Sequence, residues 1–295
     1  MVFGVIADAQ YCDCPPYLNR YYRASLGKMH NATDALDAAH VDFAVHLGDL
    51  IDRDFESFEP INDAFLTLEA PTYHVLGNHE YSVRLEWQDD VLDELGLETR
   101  YSSISKGAWR FIFLDGNDLS LYSTRRGSPR RLEAERMYAA LDAADAPNAQ
   151  TWNGGIGQNQ LDWLDRTLAD AQGQGQNVLV FSHFPIYPMS VYALWNAEEV
   201  RTLIESYPNV VAYMNGHNHD GLVATHGGIH YISLKGMVET KTSNAFAAVS
   251  LHSDRIDIRG YGREPSRTLA LVPDPADRIV SSGRILLDRD RAVED

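Results

Sequence analysis

The chain has only two cysteines in 295 residues, Cys12 and Cys14. One intervening residue is too tight a spacing for a useful structural crosslink and is unlike the zinc-site patterns, so both are read as free thiols. No apolar run approaches the length that spans a bilayer, which gives no reason to expect a membrane partner. The opening Val2-Phe3-Gly4-Val5-Ile6 lacks the basic flank, long apolar stretch and small-residue cleavage site of a secretory signal, so the expected location is cytoplasmic. Positive charge is also scarce: 25 Lys and Arg stand against 42 Asp and Glu, a formal charge of −17. Such a field repels polymeric nucleic acid and anionic lipid. A small phosphorylated substrate would be repelled too, unless bound cations reversed the sign of the site locally.

What the chain does contain is ordinary globular material, with 44% hydrophobic and 23% charged residues. The length fits one large α/β core, with two domains as the alternative. Short apolar runs stop abruptly at polar residues: Val2 to Ala7 before Asp8, Phe43 to Leu47 before Gly48-Asp49, and Tyr73 to Leu76 before Gly77-Asn78-His79. The form returns at Val178 to Phe181 before Ser182-His183 and at Val210 to Met214 before Asn215-Gly216-His217. These runs read as buried strands feeding functional loops. Helical spacing covers Tyr22 to Ala39, Leu132 to Ala144 and Gln158 to Ala171, and the alternation implies an α/β core. After Gly221 the runs Ile229 to Leu234, Phe246 to Leu251 and Ile256 to Arg259 predict a second sheet with antiparallel pairing. Beyond Arg263, Pro265, Pro273 and Pro275 precede a charged end, expected as an arm or loose tail.

Residues at the carboxyl ends of such strands can converge in the crevice where open α/β sheets bind ligands. Here they are Asp8, Gln10, Asp49, Asn78, His183, His217 and His219. Two carboxylates, two amide oxygens and three imidazoles suffice for two neighbouring divalent ions if one carboxylate bridges them. A lone Gly-Asp pair is often a turn, and a histidine beside an apolar strand is usually a satisfied core residue. Five such motifs in order, each after a strand, are hard to explain that way.

The order resembles the calcineurin-like metallophosphoesterases, whose motifs run D-x-H, GDxxD, GNH[ED], a lone H after a strand, and GHxH. This chain has Asp8-Ala9-Gln10, GDLID from Gly48, GNHE from Gly77, His183 and GHNH from Gly216. The resemblance implies a four-layer α-β-β-α sandwich, with two mixed sheets packed face to face and helices outside. It places Asp8, Gln10 and His219 on one metal, Asn78, His183 and His217 on the other, and Asp49 between them. His79 would be the catalytic histidine that is not a ligand, with Asp52 either orienting it or capping a helix. Water activated between the metals would attack phosphorus. His46, His74, His226, His230 and His252 fall outside the motifs and are read as structural.

Gln10 departs from the pattern, since most of the superfamily has histidine there. An amide oxygen makes the site harder and shifts preference from zinc or iron towards manganese or magnesium, which favours Mn²⁺. The DAQY start resembles the manganese-dependent ADP-ribose/CDP-alcohol diphosphatases. So do YYRASL from Tyr21, FIFLDGNDLS from Phe111, NGGIGQNQLDWL from Asn153, SHFPIYP from Ser182 and GYGREPSR from Gly260. This resemblance sets a metallophosphoesterase domain at 1–267 and an arm or tail at 268–295. It implies hydrolysis of a phosphoanhydride in a small nucleotide-derived substrate, giving a nucleoside monophosphate and a second phosphorylated product. Tyr11, the 117–159 insertion and the loop from Tyr187 to Asn196 would select the substrate, with core packing the competing reading for Tyr187 and Trp195. Cyclic-nucleotide phosphodiesterase or phosphomonoesterase activity on the same metal pair is the alternative, and a noncatalytic interaction module a further one.

Overall fold

The computed structural model describes residues 1–271. In chain order its first half runs β1 (Val2–Ile6), α1 (Ala24–Ala38), β2 (Ala44–His46), α2 (Phe58–Leu66), β3 (Thr72–His74), α3 (Val91–Glu94), β4 (Ser102–Lys106), β5 (Trp109–Phe113), β6 (Leu119–Ser120) and α4 (Pro129–Ala143). It continues with β7 (Gly154–Gly155), α5 (Gln158–Gly173), β8 (Asn177–Phe181), α6 (Ala197–Glu205) and β9 (Val210–Asn215). It ends with β10 (Asp220–His226), β11 (Ile229–Lys235), β12 (Ala245–Leu251), β13 (Arg255–Gly262) and β14 (Arg267–Ala270). The three expected helices are α1, α4 and α5. For α4 the start is written locally: Ser128 accepts the Arg131 N–H, and Pro129 supplies a helical φ where no N–H is needed.

Two six-stranded mixed sheets form, in the orders β14-β13-β12-β1-β2-β3 and β10-β11-β9-β8-β5-β4. Phe3, Val5, Phe43 and Val45 from one sheet meet Phe111, Phe113, Leu179 and Phe181 from the other in a shared core. Strand alternation sends the intervening side chains outwards. Ile6 and Ala44 pack on Met29, Leu36, Ile61 and Phe65 of α1 and α2. On the far side, Val178, Val180 and Tyr213 pack on Leu164, Leu168, Val200 and Ile204 of α5 and α6. The layers are therefore helix, sheet, sheet, helix. Gly4 is required for the closeness of α1, because a Cβ there would lie 2.6 Å from Leu36 Cδ1.

The later strands differ from expectation: they do not make a sheet of their own. Strands β10 and β11 extend the sheet of β8 and β9, whereas β12, β13 and β14 pair antiparallel outward from β1. The reason is that β1 takes β2 as a parallel neighbour on one edge only, which leaves its other edge for β12. The hairpin of β4 and β5 had no clear alternation in sequence, yet β5 is fully buried beside β8. Strand β14 begins at Arg267, so the expected domain boundary falls at its first residue; the remainder of the expected arm, from 272 onward with Pro273 and Pro275, lies outside the described residues. Among the described residues, no helix is long and apolar enough to cross a membrane.

Cys12 and Cys14 correct another expectation. They are joined as a disulfide, because the bend through Asp13 brings their Cα atoms to 5.2 Å, inside the range a disulfide spans.

Candidate metal centre

Strands β1, β2 and β3 run parallel, as do β5, β8, β9 and β11, so the loops after β1, β2, β3, β8 and β9 gather at one end of the sandwich. The chain turns sharply there. Asp8 (φ 53°), Gln10 (φ 41°), Asp49 (φ 57°) and His217 (φ 66°) all take the left-handed conformation that non-glycine residues rarely adopt. The glycines of the motifs make room: a Cβ on Gly77 would sit 2.2 Å from Asp49 Oδ1.

The seven residues singled out in sequence are all brought to this end. Asp49, His183 and His217 are buried, with one ligand atom of each within 4.8 Å of the others. His183 Nε2 lies 3.3 Å from Asp49 Oδ2, 3.2 Å from Asn78 Oδ1 and 3.0 Å from His217 Nδ1. Gln10 Nε2 donates to the same Asp49 Oδ2 at 3.2 Å, and His219 Nε2 lies 3.5 Å from Asp8 Oδ1. Gln10 Oε1 is buried with no hydrogen-bond partner among the described residues. Asp49 Oδ2 is thus shared by His183 and Gln10, while Asp8 and His219 form a second pair of donors.

Each imidazole is held by its outward nitrogen. His183 Nδ1 meets the Leu47 carbonyl at 2.8 Å, His217 Nε2 meets Asn153 Oδ1 at 3.0 Å, and His219 Nδ1 meets Glu239 Oε1 at 2.8 Å. A neutral ring with its proton on the outward side presents a bare lone pair inwards. His217 Nδ1 presents a lone pair to His183 Nε2, whose N–H points at the same place beside Asn78 Oδ1 and Asp49 Oδ2, where a bound cation would replace that proton. Oxygen and imidazole donors with anchored rings fit a divalent cation, as does the orphaned Gln10 oxygen.

The electrostatics favour positive charge on both sides. Burial pushes the Asp49 carboxyl up, but His183 and His79 outweigh it and hold it well below the usual carboxylate range. Burial lowers His183, yet the Asp49 and Asp8 carboxylates lift it to about 9. His219 is lowered by burial and raised by Asp8 and Glu239, again to about 9. His217 is driven well below 6.5 by burial and by His183 beside it.

His79 sits at the edge with a side chain 22% exposed, its Nε2 3.9 Å from Asp49 Oδ2. Its Nδ1 is held by the Asp52 main-chain carbonyl at 2.6 Å, whereas the Asp52 carboxylate is 3.5 Å away and pairs with Arg53. Asp52 does not cap a helix: the next one, at Phe55–Ser57, has Asp54 at its N-cap with no side-chain cap bond. Glu80, Glu239 and Asn153 were not anticipated. Glu80 had a signal, the last letter of GNHE, whereas Glu239 and Asn153 reach the site from segments with no local pattern. The five histidines read as structural take other partners: His46 and His74 are buried near Phe65, while His226, His230 and His252 bond Glu205, the Ala270 carbonyl and Asp257. Half-buried Tyr187 packs at a tilt against His226 and Tyr231, and buried Trp195 donates its indole N–H to the Gln150 carbonyl. Tyr192 of the same loop instead stands edge-on to His217, ring centroids 5.8 Å apart.

Residues 1–221 match the family model described as calcineurin-like phosphoesterase, and the chain belongs to that family. Within it, the chain is 30% identical over 320 residues to the manganese-dependent ADP-ribose/CDP-alcohol diphosphatase of Xenopus tropicalis, covering 90% of this chain and 93% of the relative. It is 28% identical to the Homo sapiens protein of the same name, covering 90% and 92%. A solved dimetal phosphatase from Danio rerio has 28% sequence identity and a TM-score of 0.83, covering 92% of this chain and 99% of the other.

Proposed function

We propose that the chain hydrolyses the phosphoanhydride of small nucleoside diphosphate derivatives, ADP-ribose and CDP-alcohols such as CDP-choline, yielding a nucleoside monophosphate and a second phosphorylated product. The observation that carries this is the convergence of Asp8, Gln10, Asp49, Asn78, His183, His217 and His219 around two groups of inward-facing donor atoms. Similarity to relatives named as manganese-dependent diphosphatases over nine-tenths of the chain supports the substrate class and the metal.

In this reading Asp8, Gln10 and His219 would hold one Mn²⁺ and Asn78, His183 and His217 the other, with Asp49 available to both. Mg²⁺, Fe or Zn are the competing occupants. When bound, such a pair neutralises phosphate oxygens and lowers the pKa of water towards neutrality. His79 donates its Nδ1–H to the Asp52 carbonyl and keeps Nε2 facing the site, so the doubly protonated ring would be the form that gives a proton to the leaving oxygen. The Asp52 carbonyl sets that ring's orientation. The net charge of −17 makes a small substrate, not a nucleic-acid polymer, the fitting partner. A cytoplasmic location belongs to the same proposal, and cell fractionation tests it.

The experiment is a substrate panel: ADP-ribose, CDP-choline, p-nitrophenyl phosphate and a cyclic nucleotide, each with Mn²⁺, Mg²⁺ or chelator. Turnover of the first two with Mn²⁺ is expected. Turnover of only the monoester or cyclic nucleotide overturns the substrate class and leaves the metal reading standing.

A further inference from the structure

Asn153 immediately precedes β7, which leads towards α5, and its side chain is fully buried. Its Nδ2 lies 2.8 Å from the Val191 carbonyl and 3.2 Å from the Asn148 carbonyl. Two carbonyl oxygens can face only the nitrogen of an amide, so the amide cannot be flipped. The oxygen must then face His217 Nε2, at 3.0 Å, and that ring nitrogen must carry the proton. His217 is left with a bare Nδ1, pointing at His183 Nε2 across 3.0 Å. The direction of one buried amide thereby decides which nitrogen of a histidine 64 positions away is free.

We propose that Asn153 is a positioning residue of the metal centre. It locks His217 in the Nε2–H tautomer, turns Nδ1 towards the cation, and ties the ring to the loop that walls the site. That loop includes Val191, whose carbonyl Asn153 holds, and Tyr192, whose ring stands against His217. Its far end returns to β7, where the Trp195 main-chain N–H donates to the Gly154 carbonyl at 2.7 Å. Asparagine alone fits the three contacts at this length. Aspartate keeps the acceptor but loses both donors, and leucine keeps neither. The inference rests on the reading of His217 as a ligand.

The test is Mn²⁺ titration of the full-length protein, freed of metal, by calorimetry and electron paramagnetic resonance. Wild type should take up two ions. Asn153→Leu should weaken one of them by about 10- to 100-fold, the loss typical when the group orienting a ligand is removed. Asn153→Asp, which retains an acceptor for the ring, should recover most of that loss. Asn148→Ala removes the hydrogen bonds to the Leu194 and Trp195 carbonyls, 2.8 and 3.1 Å, without touching His217, and should bind as wild type does. A second readout needs no variant: nitrogen-15 spectra of the metal-free wild type should show His217 protonated at Nε2. Protonation at Nδ1, unchanged binding by Asn153→Leu, or an equal loss in Asn148→Ala overturns the role of Asn153. Wild type that binds no manganese overturns the functional reading itself, a separate outcome.

Discussion

The Glu80 carboxylate lies beneath Asp49 and accepts its main-chain N–H at 3.0 Å. The same carboxylate takes the N–H groups of Leu50 at 2.5 Å and Gly77 at 2.7 Å, so one buried side chain pins the loops after β2 and β3 together. Glu80→Gln turns an amide NH₂ against at least one of these donors. The expected outcome is a loss of about 1–3 kcal/mol in urea denaturation, from unsatisfied buried groups, with weaker Mn²⁺ binding. Wild-type stability and binding would show that the three N–H groups do not depend on this carboxylate.

Acid should destabilise the fold through His74. Burial pushes its pKa down to about 4, against about 6.5 in the unfolded chain. Between these values the unfolded state binds more protons, so stability rises with pH through this window and is lost as pH falls from 6.5 towards 4. At pH 5 the cost is about 2 kcal/mol relative to pH 7.5. Urea denaturation of metal-free wild type and His74→Leu at both pH values checks this. The variant should show a smaller difference between them, and an equal difference in both proteins would assign the acid sensitivity elsewhere.

For His79 the expectation is a split between chemistry and binding. Because its ring is anchored on the Asp52 carbonyl with Nε2 3.9 Å from Asp49 Oδ2, His79→Ala should retain uptake of two Mn²⁺. Turnover of ADP-ribose should fall by about 10²- to 10⁴-fold, the range for a lost proton or hydrogen-bond donor. Loss of one metal instead of turnover would make His79 a ligand.

Gln10→His should keep hydrolysis but change the order of preference among Mn²⁺, Mg²⁺ and Zn²⁺, because a buried oxygen donor is exchanged for nitrogen. Parallel titrations of kcat/KM against each metal test it. Identical metal preference in both proteins would remove Gln10 from contact with the ion.

Much of this end of the molecule was legible because each candidate donor follows directly on a buried strand. Asp8 after β1, Asp49 after β2, Asn78 after β3, His183 after β8 and His217 after β9 need only parallel pairing to meet. What was hidden depends on partners far away in sequence. Glu239 reaches His219 from the connection between β11 and β12, and Asn153 reaches His217 from the turn before α5, each without a local pattern to mark it. The division of the last five strands between two sheets was hidden too, since alternation within a strand does not say whose edge it joins. The Cys12–Cys14 bond escaped for a similar reason, because it depends on a bend that residue spacing alone does not specify.

Anomalous diffraction at the manganese edge, from crystals grown with Mn²⁺, tests the central claim most directly. Two peaks about 3.5–4 Å apart should appear, with Asp49 touching both, Asp8, Gln10 and His219 around one, and Asn78, His183 and His217 around the other. A single peak that leaves Asp8 and His219 without an ion, or peaks away from Asp49, would contradict it.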